Sequence, residues 1–113
     1  MKSLLYYNSL LKTINKMKKH LKKILADHLL WLSDSGGTKA NTSEMDLRKS
    51  KLSDVNLSYG DFKNTNFAGS DFSESNLSGA NFSGANLSNC NFFGADLSDA
   101  NFYGADLTDA DLS

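Results

Sequence analysis

The side chains able to carry chemistry are few in kind. The 113 residues include one cysteine, Cys90, two histidines, His20 and His28, and thirteen Asp and Glu. A lone cysteine forms no internal disulfide and no thiolate metal cage. With Ile14 as origin and ~100° per helical residue, His20 and His28 lie at about 240° and 320°, on different faces, so they share no metal. The chain has no nucleophile elbow, phosphate loop or metal-ligand spacing. Its many Ser and Asp recur because a short repeat demands them, so pairs of acids follow from geometry rather than from acid–base catalysis. The expectation is no catalytic residue, no metal, no cofactor and no enzyme.

What must be positioned is therefore a surface. Charge divides the chain in two. Residues 1–44 carry eight Lys and three acids, whereas residues 45–113 carry Arg48, Lys49, Lys51 and Lys63 against ten acids. The break falls at Asp34-Ser35-Gly36-Gly37, a helix-stop and turn signature. Two units are expected: 1–37, a basic amphipathic helix with a cap and turn, and 38–113, a repeat array. No apolar run is long enough to cross a membrane, and Lys interrupts every apolar stretch near the start, so a cytoplasmic location is expected.

From Met45 the chain repeats every five residues. Leu or Phe stands at 47, 52, 57 and on to 112 in all 14 cases, preceded by Asp or Asn in 13 of them. In most repeats a small residue sits two positions before, and Gly, Asn or Asp usually two positions after. Apolar residues five apart would smear around an α-helix and would alternate faces on a straight strand. A chain that turns once per five residues can bury them, with the small residue and Leu or Phe pointing inward and the later Gly, Asn or Asp at a corner. Phe at 62, 72, 82, 92 and 102 alternates with Leu, so an even number of sides stacks like on like. Four sides and about 20 residues per turn follow, giving roughly 3.7 coils for residues 40–113 and a stack about 18 Å tall at ~4.8 Å per coil.

The run Asn76-Leu77-Ser78-Gly79-Ala80-Asn81-Phe82-Ser83-Gly84-Ala85-Asn86-Leu87 resembles the A-(D/N)-L-x-x signature of the pentapeptide repeat family. The resemblance implies a mainly β fold, a right-handed four-sided parallel β-helix. Leu25-Ala26-Asp27-His28-Leu29-Leu30-Trp31-Leu32, followed by Gly36-Gly37-Thr38-Lys39-Ala40-Asn41, also resembles a leader found before some bacterial and phage arrays of this family.

A solenoid needs its ends covered. Leu29, Trp31 and Leu32 are the expected N-terminal cap. The last coil leaves Phe92, Phe102, Leu107 and Leu112 facing no neighbour, so a homodimer through that coil is expected, as the family resemblance implies. Asn in the columns is expected to form ladders along the stack. Tyr59, Phe93 and Tyr103 should point outward, and Cys90 should be a buried small filler.

Residues 9–33 read as one helix, about 37 Å long at 1.5 Å per residue. Leu10, Leu11, Ile14, Met17, Leu21, Ile24, Leu25, His28, Leu29 and Leu32 form its apolar stripe, with Lys12, Lys16, Lys19 and Lys23 opposite. Those Lys are the candidate contact face for a protein partner or, through the cluster Lys16, Lys18, Lys19, Lys22 and Lys23, for nucleic acid or a membrane surface.

The function expected is a non-enzymatic structural or protein-interaction module presenting a rigid acidic surface. The alternative comes from the resemblance: the family includes acidic rods that mimic duplex DNA and regulate gyrase. The late acids Asp96, Asp99, Asp106, Asp109 and Asp111 motivate it here.

Overall fold

The computed structural model describes residues 3–16 and 18–113; Met1, Lys2 and Met17, and the side chains of Ser9, Asn15 and Lys16, lie outside the description. Helix α1 spans Leu4–Lys16 and α2 spans Lys19–Leu32. The array follows, and every bridge in it is parallel and joins residue n to n+20, from Asn41↔Asp61 to Asn91↔Asp111. Four pentapeptides therefore complete each turn. Each side contributes one bridged residue between turns, because the corner arrives before a longer strand can form.

The corners explain the sequence two positions after each Leu or Phe. Lys49, Asp54, Tyr59, Asn64, Glu74, Asn89, Asp99 and Asp109 have φ between 56° and 65°, and Gly69, Gly79, Gly84, Gly94 and Gly104 between 68° and 72°. Gly, Asn and Asp enter this left-handed region at least cost. At Gly79 a Cβ would also lie 2.6 Å from the Tyr59 ring, so the glycine makes room for the aromatic one coil below.

Between corners the main chain locks the coils both ways. The Phe82 amide donates to the Asn101 carbonyl at 2.7 Å, and the Asn81 amide to the Gly60 carbonyl at 2.9 Å. The columns then stack as the alternation requires. Phe62 lies on Phe82 (5.1 Å between centroids), Phe82 on Phe102 (5.5 Å) and Phe72 on Phe92 (5.2 Å). Phe67, placed among Leu, meets Phe62, Phe72 and Phe82 edge-on.

The expected Asn ladders do not carry the columns. Oδ1 of the Asn or Asp before each Leu or Phe accepts from the amide two residues on, as in Ser78 N to Asn76 Oδ1 at 3.0 Å and Thr108 N to Asp106 Oδ1 at 3.0 Å. This is an Asx turn, and it serves the corner rather than the next coil.

The N-terminal segment also departs from expectation. It forms two helices rather than one, the first running through Asn8-Ser9, and Lys18 ahead of the second is extended, with φ −66° and ψ 150°. The break lets both helices lie on the first coil. Leu10 and Ile14 of α1 and Ile24 of α2 pack against the common core, and Leu21 and Leu25 are buried in it.

Phe82 is fully buried between two stacked rings. Phe82→Ala should lower unfolding free energy by about 3–5 kcal/mol, and half-buried Phe102→Ala by clearly less, as read by urea denaturation.

Candidate interaction surfaces

The lysine face comes first. Lys12, Lys19 and Lys23 are exposed as expected, while the side chain of Lys16 lies outside the described residues. Lys23 is paired with Asp27, Nζ to Oδ2 at 2.9 Å, on the helix surface. Lys18 stands at the break between helices, beside the first coil rather than along an unbroken basic stripe. Leu4, Leu5, Tyr7 and Leu11 of α1 are exposed apolar residues, Leu11 against its expected place in the stripe.

The expected cap residues are placed differently. Leu29 and Trp31 are exposed and Leu32 is half-buried. The covering is done by Leu21, Leu25 and His28 of α2 and Thr13 of α1. Helix phase explains this: 21, 25 and 28 share the face one turn apart that meets the coil. Trp31 contributes from the rim by stacking on the His28 ring at 5.5 Å.

His28 has no exposed surface. Its Nδ1 accepts from the Ala40 amide at 2.9 Å, so Nδ1 carries no proton. Nε2 lies 2.9 Å from the Ser58 carbonyl and donates to it. The ring thus joins α2, the entry to the array and the first coil. Burial pushes its pKa below the ordinary 6.5, the Ser58 bond opposes this, and Lys39 adds to the lowering. Thr13 Oγ1 meets Ser53 Oγ at 3.0 Å and pins α1 to the same coil. Gly37, at φ +75°, passes so close to α2 that a Cβ would sit 2.7 Å from Leu30 Cβ.

The acidic walls are exposed in the last coil. Asp96, Asp106 and Asp111 are held below the usual carboxylate range by hydroxyl and amide donors from Ser98, Thr108 and Ser113, so they stay ionised and are poor proton donors. Asp46 is lowered likewise by Arg48. Of the expected end residues, Phe92 is buried because Leu112 covers its column, Phe102 and Leu107 are half-buried, and Leu112 is exposed. Tyr59, Phe93 and Tyr103 point outward. Among the described residues no His, Cys, Asp and Glu group is arranged to hold a metal, and no helix is long and apolar enough to cross a membrane.

A family model for pentapeptide repeats (8 copies) matches residues 38–69, 50–89 and 75–113. This chain belongs to the pentapeptide repeat family. Its right-handed β-helix is also seen in the pentapeptide repeat protein Rfr23 of the cyanobacterium Cyanothece 51142, at 22% identity and TM-score 0.65, covering 67% of this chain and 52% of that one. The chain thus spans about half of that relative. Weaker likenesses are a thylakoid-lumen pentapeptide repeat protein of Arabidopsis thaliana (23% identity, TM-score 0.34, 62% and 59% covered) and one from Nostoc PCC 7120 (25% identity, TM-score 0.36, 62% of each). No curated protein matches.

Membership accounts for Cys90 as a member of a pentapeptide column. Ser70 Oγ donates to the Leu47 carbonyl at 3.1 Å, Thr65 Oγ1 to the Thr42 carbonyl at 2.8 Å, and Cys90 Sγ to the Phe67 carbonyl at 3.1 Å. In each case the donor reaches back 23 residues, so the thiol occupies a hydroxyl's place. Burial raises its pKa to about 11, which leaves almost no thiolate at neutral pH.

Native protein should therefore react with a disulfide reagent far more slowly than urea-unfolded protein, and Cys90→Ser should leave stability within ~1 kcal/mol. For His28, the unfolded chain binds the proton more readily than the folded one. Its contribution should be complete above about pH 6.5 and decline as pH falls below that value. Urea denaturation across pH 5–8 should show this slope, and His28→Gln should flatten it.

Proposed function

We propose that this protein is a non-enzymatic interaction module: an acidic four-sided β-helix of about 3.7 coils with a two-helix cap, which pairs with its own copy and presents its walls to a protein partner. The observation that carries this reading is the filled interior. Phe62, Phe67, Phe72, Phe82 and Phe92 and Leu52, Leu57, Leu77 and Leu87 are essentially inaccessible, which leaves recognition to the outer surface.

Self-pairing rests on the last coil. Earlier coils donate upward, as Leu77 does to the Asp96 carbonyl and Phe92 to the Asp111 carbonyl. In the last coil the amides of Leu97, Phe102 and Leu107 occupy the same place at an edge, beside partly exposed apolar side chains. A second copy would meet both needs. The four-sided outline is matched by an identical outline, whereas an unrelated sheet edge would follow it poorly.

A second reading, a DNA-mimicking regulator of an enzyme such as gyrase, is favoured by one observation: Asp96, Asp99, Asp106, Asp109 and Asp111 are all exposed. Pairing through the last coil would bring both sets of these carboxylates towards one junction, as a phosphate-like strip requires.

Sedimentation at tens of micromolar should show a dimer that Leu107→Glu converts to monomer; a monomeric parent chain would overturn self-pairing. Excess protein should leave gyrase supercoiling unchanged under the first reading and inhibit it under the second.

A further inference from the structure

Only four basic residues occur in residues 45–113, and three of them, Arg48, Lys49 and Lys51, stand close together on the first coil. The break between α1 and α2 sets Lys18 and His20 against the same place. Between them opens a groove of about 380 Å³, lined by these five residues together with Leu21, Met45, Asp46, Leu47 and Ser50. Leu21 is buried and Met45 and Leu47 are half-buried, so the groove has an apolar floor; Lys18, Lys49 and Lys51 are exposed at its rim.

The charge there is not balanced within the groove. Asp46 is the one carboxylate among the lining residues, and Arg48 engages both its oxygens, Nε to Oδ1 at 2.9 Å and Nη2 to Oδ2 at 2.8 Å. Among the described lining residues the three ammonium groups have no second acid; Asp71, bridged to Lys51 one coil above, lies outside the lining. Elsewhere the array is acidic, so this cluster is local and not a general property of the surface.

An apolar floor beneath a cationic rim suits a ligand with both characters, and the volume falls within the ~300–1,000 Å³ usual for small-molecule sites. A bare phosphate has no use for Leu21, Met45 and Leu47. A nucleic acid strand needs a longer basic track and would run into the acidic walls. We propose that this groove binds a small amphipathic organic anion, its apolar body on Leu21, Met45 and Leu47 and its phosphate, sulfonate or carboxylate head among Lys18, Lys49 and Lys51. This assignment is independent of the dimer and of the acidic walls.

The test uses the full chain and anilinonaphthalene sulfonate, an aromatic anion that fluoresces when its rings leave water. Expected is saturable one-site binding, weakened about tenfold or more, ~1.4 kcal/mol, by the exposed pair Lys18→Glu and Lys51→Glu. A thermal melt unchanged from the parent would show that the pair still folds. Lys63→Glu, an equal charge reversal at an exposed array residue outside the groove lining, should bind as the parent does. Naphthyl phosphate should displace the probe where equal concentrations of inorganic phosphate or naphthol do not. Backbone amide shifts on binding should be confined to residues 18–21 and 45–51. Binding indifferent to the charge reversal, displacement by inorganic phosphate as readily as by naphthyl phosphate, or shifts centred on residues 97–112 would each overturn the proposal.

Discussion

Every other feature of this molecule depends on the parallel main-chain lock between residue n and residue n+20. Because the amides and carbonyls that face the neighbouring coils are paired across this lock, as Phe82 N with the Asn101 carbonyl and Asn81 N with the Gly60 carbonyl, a slip of register would leave a row of them unpaired. The lock also forces equivalent side chains into columns. Phe82 must accommodate Phe62 and Phe102, and it stacks on both, at 5.1 Å with a 30° tilt and at 5.5 Å nearly parallel.

The same constraint explains why a chain so rich in Ser, Asn, Asp and Thr can fold around an apolar core. Small-column hydroxyls, and the Cys90 thiol, return to a carbonyl in the coil below. Asn and Asp before each Leu or Phe hold the following turn. Among the described residues no buried side-chain nitrogen or oxygen lacks a partner. Polar groups that look like a supply of catalytic residues thus hold the columns and corners of the coil.

The first coil is the main interruption. Its lower edge has no preceding coil, and the helices cover it with a mixture of apolar contact and specific hydrogen bonding. Leu21 and Leu25 supply the first, while His28 and Thr13 supply the second. Thr42 stands in the place of a Leu or Phe and is buried against Thr65, Oγ1 to Oγ1 at 3.0 Å, so even the first central position is polar only where it is paired. Basic residues gather at this same coil, which holds Arg48, Lys49 and Lys51, three of the four in residues 45–113.

The sequence by itself determined the coil, its period, its corners, the inward columns and the burial of Cys90, because each depends on contacts repeated every 5 or 20 residues and so is written many times over. Features written once were decided by the tertiary structure. The apolar stripe resumes beyond Lys18 and continues to Leu32, so the pattern reads as one helix, and the division into α1 and α2 appears only in the fold. His28 looks like one more stripe residue until the Ala40 amide and Ser58 carbonyl are placed on its two nitrogens. Leu29 and Trp31 precede the array more closely than Leu21 and Leu25, but the helix phase turns the latter pair inward. Lys18 and Lys51 are 33 positions apart in the chain, and the fold alone puts them on one groove. Local pattern reports what neighbours demand of one another; it carries no record of a contact made once between distant residues.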